Sequence, residues 1–245
     1  MANPNNTPRR WLRGWRPLLL VTLLLLAYFA IQQWMTWPRV AELAEANPAT
    51  TAFIERHRQL RVQLGEKDAI SQVWVSYDQI SPHLKRAVLV GEDIDFFSHR
   101  GFALAEVEQA VRDAVRDRKF PRGASTITQQ LAKNLWLSPS RNPWRKVEEA
   151  LLTRQLERRL DKRRILELYL NVVEFGPGIY GAEAASRTYF GKSAAELDEN
   201  EAARLAAILP RPSRWHPRSS SRAYRQRVAM IERRMAKAEW LWEVI

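Results

Sequence analysis

Hydrophobic and polar positions divide the chain into an apolar opening and a long, helix-patterned remainder. Residues Pro17–Ile31, PLLLVTLLLLAYFAI, carry no charge. With Trp15 before them and Gln32–Trp37 after them, they approach the ~20 residues that a spanning helix needs. Residues 38–70 are mixed polar, rich in Ala, Glu and Arg, and broken at Pro48; they read as a stalk or a peripheral helix. Gln72–Tyr77, QVWVSY, is β-branched and aromatic and predicts one short strand. Beyond it the apolar spacing is almost wholly helical. Ser81-Pro82 opens a helix that carries Leu84, Ala87, Val88 and Val90 toward Glu92. Leu104, Val107, Val111 and Val115 predict another over Phe102–Val115. Thr126-Ile127-Thr128-Gln129 has the form of a capping box, so a helix begins there. Its core face carries Ile127, Leu131 and Leu135, and its polar face Thr126, Gln129, Gln130 and Lys133. Asn142-Pro143 reads as the cap and first residue of the next helix. Ile165, Leu168 and Tyr169 mark a core helix, and Ala223–Trp242 a basic one after Ser219–Ser221. No internal repeat or low-complexity tract is present.

The flanks of the apolar run give it an orientation. Arg9, Arg10, Arg13 and Arg16 precede it; Trp11 and Trp15 flank one end and Trp34 and Trp37 the other, as interfacial aromatics do. The positive-inside rule then puts residues 1–16 in the cytoplasm, 17–37 across the membrane, and the rest outside. A cleaved signal peptide is the rival, since Ala27-Tyr28-Phe29-Ala30 has small residues at cleavage-like spacing. The arginine cluster and the trailing Trp, Met and Gln favour a retained anchor. No second span is seen.

The whole chain has 245 residues, 46% hydrophobic and 27% charged, enough for one domain with a full core plus appendages. Its formal net charge of +12 points to a polyanionic partner or an anionic membrane surface, the alternative being a generically basic exterior. Cysteine is absent, which excludes disulfides, a thiolate nucleophile and Cys-based metal sites. Four scattered histidines make no metal cluster.

Three segments carry candidate chemistry. In Arg122–Asn134, RGASTITQQLAKN, the polar helix face offers a hydroxyl, two amides and an ammonium. The helix start adds free N–H groups and a positive dipole end, which suit a phosphate or pyrophosphate. The alternative is a solvated amphipathic face; Gly123, which permits a tight turn before the cap, tilts toward binding. In the second segment Arg145 and Glu149 lie four apart on a helix, Arg141 precedes it, and Lys146 and Glu148 lie on adjacent faces. A plain surface ion pair is the competing reading. Glu157, Arg158 and Arg159 are assigned to a solvated face. In the third, EDIDFFSHRG, the Glu92-Asp93 pair is either an exposed helix end or an acid/base site tuned by burial against Phe96 and Phe97. His99 reads as a hydrogen-bond partner of a nearby carboxylate.

The order and spacing of these residues resemble the peptidoglycan glycosyltransferases of family 51. EDxxFxxHxG is met by Glu92, Asp93, Phe96, His99 and Gly101; GxSTITQQ by Gly123 and Ser125 through Gln130, extended by Lys133-Asn134; RKxxE by Arg145, Lys146 and Glu149; and KxxILExYxN by Lys162, Ile165, Leu166, Glu167, Tyr169 and Asn171. The resemblance runs from about Gln72 to Arg234 and makes 71–245 the catalytic domain. No Ser-x-x-Lys or Lys-Thr-Gly is present, so it is the monofunctional branch, without a transpeptidase domain, that the chain resembles. The family's last motif, RxxxVL, falls at Arg227–Glu232; Arg227 and Ile231 fit, but Glu232 replaces an apolar residue. That motif is taken as structural.

The resemblance implies a mainly α, lysozyme-like two-lobed domain behind a single N-terminal transmembrane helix, in the bacterial inner membrane with the catalytic domain on the periplasmic side. It implies polymerisation of lipid II into β-1,4-linked glycan, with inversion at MurNAc C1 and release of undecaprenyl pyrophosphate. Glu92 matches the general base and Glu149 the glutamate near the donor's pyrophosphate. Lys133, Arg141 and Arg145 are expected at the leaving group, Ser125, Thr126, Gln129 and Gln130 at the donor, and Lys146 among the substrate-binding residues. Asp93 would organise the surroundings of Glu92. Lys162, Glu167 and Asn171 are expected to be architectural. No cofactor is obligatory, although Mg²⁺ bridging Glu149 and the pyrophosphate is plausible. The expected partners are lipid II, the growing glycan, the membrane and the cell-wall synthesis or division proteins, not nucleic acid. Trp136 and Leu137 are candidates for an exposed lipid-facing patch. A lytic transglycosylase and a non-enzymatic anionic-polymer scaffold are the other classes; the first would not need a pyrophosphate cluster, and the second leaves the carboxylates unexplained.

Overall fold

The computed structural model describes residues 19–24, 28, 37–67, 69–103, 125–137 and 143–245. Two compact units are distinguished, Met1–Arg39 and Val40–Ile245. In the first, residues 19–24 are helical, with Leu19, Leu20, Val21, Leu23 and Leu24 exposed. Among the described residues no helix is long and apolar enough to cross a membrane. Much of the expected anchor, and the expected helix over Phe102–Val115 beyond Ala103, lie outside them.

The second unit is mainly helical. Its helices are α1 (Ala52–Gln63), α2 (Pro82–Glu92), α3 (Ile127–Trp136), α4 (Pro143–Arg159), α5 (Lys162–Val172), α6 (Ala182–Phe190), α7 (Glu199–Ala206) and α8 (Arg222–Met235). A small sheet joins β1 (Ser71–Gln72), β2 (Glu174–Gly176) and β3 (Ile179–Tyr180) in the order β1-β3-β2. Strand β3 pairs in parallel with β1 and antiparallel with β2.

Helix α3 is the centre of one packing group. The capping box forms as the sequence predicts: Thr126 Oγ1 accepts from the Gln129 N–H at 3.2 Å, and Gln129 Oε1 from the Thr126 N–H at 2.9 Å. The core face is wider than the period implies. Thr128, Gln129, Ala132 and Asn134 are buried along with Ile127, Leu131 and Leu135, because α1, α4 and α5 all pack on this helix. Helix α2 is the centre of a second group, packed on α7 and α8. Ser81 caps it, with Oγ accepting from the His83 N–H at 3.2 Å, and Pro82 occupies its first turn.

A helix leaves its last carbonyls without intrahelical donors, and its C-terminus favours cations. Both needs of α2 are met from α8: Arg234 donates to the Val90 carbonyl at 2.9 Å and Arg227 to that of Gly91 at 3.1 Å. Gly91 admits this approach, since a Cβ there would lie 3.3 Å from Ile231 Cδ1.

The expected stalk or peripheral segment is bound to the body. Val40, Leu43 and Ile54 are buried, and Arg164 on α5 donates to the carbonyls of Leu43 and Ala46 at 2.8 and 2.9 Å. The expected strand Gln72–Tyr77 is cut to Ser71–Gln72. Further along, the carboxamide of Asn171 takes both backbone groups of Val75, each at 2.9 Å, in place of a neighbouring strand. Glu167 then accepts from the Tyr77 N–H at 3.0 Å, where the chain turns into a 3-10 segment. Asn171 and Glu167 are thus architectural, as the sequence suggests. The predicted helix Ala223–Trp242 ends at Met235, followed by a 3-10 turn over Glu239–Glu243.

Glu174, at the start of β2, has its carboxyl pushed up to about 7 by burial alone. A raised folded-state value means that ionisation costs stability above the unfolded value, fully so above about 7. Glu174→Gln is therefore expected to raise Tm at pH 8 and leave it nearly unchanged at pH 5, in paired thermal melts.

Candidate active site

Glu92 is the last residue of α2, and Gln130 sits one turn into α3, so the two helix packing groups meet at this pair. Gln130 Nε2 donates to Glu92 Oε2 at 2.9 Å. The phenol of Tyr169, on α5, donates to Gln130 Oε1 at 2.9 Å, which turns the amide so that its N–H side faces Glu92. Burial and the nearby Glu92 charge hold the Tyr169 hydroxyl well above its ordinary value, so it stays a donor. On the other side Arg227 of α8 donates to Glu92 Oε1 at 2.5 Å. The Glu92 side chain is 12% exposed. Burial pushes its carboxyl up; the Gln130 bond, Arg227 and Lys133 pull the other way without cancelling it. This is the setting of a carboxylate that takes a proton more readily than a surface glutamate does.

Asp93, directly after, points elsewhere and is buried. Its Oδ2 accepts the N–H of Ile127, an otherwise orphan donor at the start of α3, at 2.9 Å. His99 Nε2 lies 2.9 Å from Oδ1, and the Gly101 N–H donates to His99 Nδ1 at 3.1 Å, which fixes the tautomer that donates to Asp93. His99 is thus the carboxylate partner that the sequence predicts. Thr126 Oγ1 donates to the Gly101 carbonyl at 2.7 Å. Gly101 has φ +88°, and a Cβ there would strike Thr153 Cγ2 at 2.8 Å, so glycine is required.

The cationic side of the site lies on α3 and α4. Lys133 is half-buried; burial lowers its ammonium, Glu149 and Glu92 draw it up, and Arg145 and Lys146 push it down. Lys133 therefore feels both carboxylates. Glu149 is buried at 4% exposure, with Lys146 on one oxygen and Arg145 3.6 Å from the other. This is not the surface ion pair that the residue spacing alone allowed, because one partner is withdrawn from water. Among the described residues no group of three or more metal-ligating side chains occurs.

The other expected site residues divide as follows. Ser125 is exposed beside Gln130, whose Nε2 is 3.4 Å from the Ser125 carbonyl. Thr126 and Gln129 are buried, their side chains engaged in capping α3. Gly123, Arg141 and Asn142 lie outside the described residues. Glu157, assigned by pattern to a solvated face, has its side chain withdrawn from water instead, at 6% exposure. Its Oε1 accepts from Thr128 at 2.5 Å and Lys162 at 2.8 Å, because α4 turns this side toward α3. Leu137 is buried and Trp136 half-buried; an exposed apolar stripe lies instead on α4, at Trp144, Val147 and Leu151, its i, i+3 and i+7 positions.

Two residues of the arrangement were read from sequence as packing. Tyr169 has core periodicity, and its hydroxyl gave no separate signal. Arg227 stood in a recognised motif position, but nothing local says that it reaches a carboxylate 135 residues earlier in the chain.

The profile of the transglycosylase family matches residues 58–236, and the chain belongs to that family of glycosyltransferase enzymes. Among its relatives, proteins named biosynthetic peptidoglycan transglycosylase are similar over most of their length. The one from Methylobacillus flagellatus is 43% identical over 92% of this chain and 96% of its own. The one from Chromobacterium violaceum is 41% identical over 91% and 98%, and that from Thiobacillus denitrificans 48% over 77% and 82%.

Proposed function

We propose that this enzyme polymerises lipid II into β-1,4-linked glycan at the outer face of the bacterial inner membrane, held there by residues 17–37 as a single span, with 71–245 as the catalytic domain. The observation that carries the reading is Glu92: a largely shielded carboxylate whose affinity for a proton is raised, steadied by Arg227 and Gln130, with a cationic cluster alongside.

In this reading the C4 hydroxyl of the acceptor GlcNAc gives its proton to Glu92 as its oxygen bonds to MurNAc C1 of the donor. The bond from C1 to the lipid pyrophosphate breaks, its electron pair leaves with the pyrophosphate, and the configuration at C1 inverts. Lys133 and Arg145, with Arg141, stabilise the charge gathering on the leaving group, a contribution that is often the largest in catalysis. Arg145 and Lys146 hold Glu149 in place beside that group. Ser125 and Gln130 line the donor side, and Asp93 fixes the start of α3 relative to Glu92. The apolar face of α4 meets the bilayer, where substrate and enzyme share one plane and encounter is enhanced.

The test is incubation of the full chain in detergent with labelled lipid II, followed by gel separation with and without lysozyme. Lysozyme-sensitive polymer is expected, and shortening of added glycan without polymer would move the reading to a lytic enzyme. Mg²⁺ is proposed as an accessory at Glu149 and no step needs it; EDTA is expected to slow polymerisation without abolishing it.

A further inference from the structure

We propose that the groove between α7 and α8 docks an extended acidic segment of a partner protein. The groove has a volume of about 460 Å³ and includes Asn200, Arg204, Arg218, Tyr224, Arg225 and Glu232 in its lining, with Val228 and Ala229 as apolar wall. It uses a different face of α8 from the one that sends Arg227 and Arg234 to α2, so the inference does not depend on the proposed reaction.

Charge comes first. Between Glu201 and Glu232 the sequence holds seven arginines and no carboxylate. Arg218 and Arg225 are exposed at the groove, and among the described residues neither has a carboxylate partner. The one acid in the groove, Glu232, accepts from Asn200 Nδ2 at 2.8 Å. This is the position where the family motif carries an apolar residue; here it faces the groove rather than a core.

The groove is also preformed. Arg204 donates to the Pro217 carbonyl at 2.6 Å, and the Tyr224 hydroxyl to the Arg204 carbonyl at 2.9 Å. Arg211 lies over the Trp215 ring, which packs on Tyr224 with centroids 5.9 Å apart. The loop between α7 and α8 is therefore tied to the helices it connects. Two exposed guanidinium forks beside a fixed concave wall suit side-chain carboxylates on an extended chain, which they can bind in bidentate fashion. A bilayer is the poorer fit. Surface-binding faces combine cations with exposed apolar side chains, and no large exposed apolar side chain occurs here between Leu151 and Trp240.

The experiment measures fluorescence anisotropy of a labelled Glu-Ala repeat peptide with the full chain in zwitterionic nanodiscs at physiological salt. A Gln-Ala peptide is the neutral control. The double variant Arg218→Glu/Arg225→Glu is compared with Arg158→Glu/Arg159→Glu, exposed on α4. Each pair changes the charge by two units at two sites, from +12 to +8. The groove variant is expected to bind at least about tenfold more weakly while the α4 variant stays close to the parent. Far-UV circular dichroism and Tm check folding, and Arg218→Gln/Arg225→Gln gives a milder version of the same loss. Equal weakening by both charge reversals, or no preference for the acidic peptide, overturns the proposal. So does dependence on the groove arginines for phosphatidylglycerol vesicles but not for the peptide.

Discussion

Glu92→Gln is expected to lower the rate of lipid II polymerisation by about a thousandfold, the scale of a lost general base. The substitution keeps the volume and planarity of the side chain, and the surroundings can absorb the change in hydrogen bonding. Arg227 still finds an oxygen. The new amide N–H₂ faces Gln130, and Gln130 can turn over if the Tyr169 hydroxyl rotates from donor to acceptor. A largely shielded charge disappears, so Tm should not fall much. The discriminating measurement pairs initial polymerisation rates with lipid II binding in the same preparation. Lost turnover with retained binding supports the base assignment; near-normal polymer formation from Glu92→Gln sinks it.

Arg227→Met should shift the acid limb of the pH–rate profile to higher pH. The base works only when ionised. Burial already favours its protonated form, and Arg227 is the cation opposing that at 2.5 Å. Without the guanidinium, Glu92 keeps the Gln130 bond but loses its ion pair, and its affinity for a proton rises further. The rate at neutral pH is expected to fall at least about tenfold, with partial recovery as the pH is raised. Arg227→Lys should restore much of the profile, since it supplies the charge but not the shared hold on the Gly91 carbonyl and Glu92. A purely structural role predicts the opposite pattern: lower rates at every pH, no displaced limb and no benefit from lysine.

Much of this arrangement was legible because it is local. Ser81-Pro82 and the Thr126–Gln129 box announce helix starts through side chains that cap their own backbone. The Glu92-Asp93 pair followed by His99 was readable as an acid and its partner. The rest depends on distant chain. The segment Gln72–Tyr77 has strand-forming residues, but strand formation needs backbone partners, and Asn171 supplied a side chain instead. Glu157 looked solvated because charge alone does not say which side of α4 meets α3. Arg227 looked like packing because a motif gives spacing along one helix, not the neighbour across it. The apolar side of α4 was available at i, i+3 and i+7, but a short stripe of that kind reads equally as core.

The bonds around Gly101 and Ile127 converge on one carboxylate. Asp93 holds His99 with one oxygen and the Ile127 N–H with the other, and Thr126 ties the same helix start to the Gly101 carbonyl. Asp93 is therefore a two-ended clamp: it couples the turn that follows Glu92 to the helix that carries Gln130. Loss of its carboxylate would loosen both ends together, so its cost would exceed that of one missing hydrogen bond and would be felt at Glu92 through Gln130.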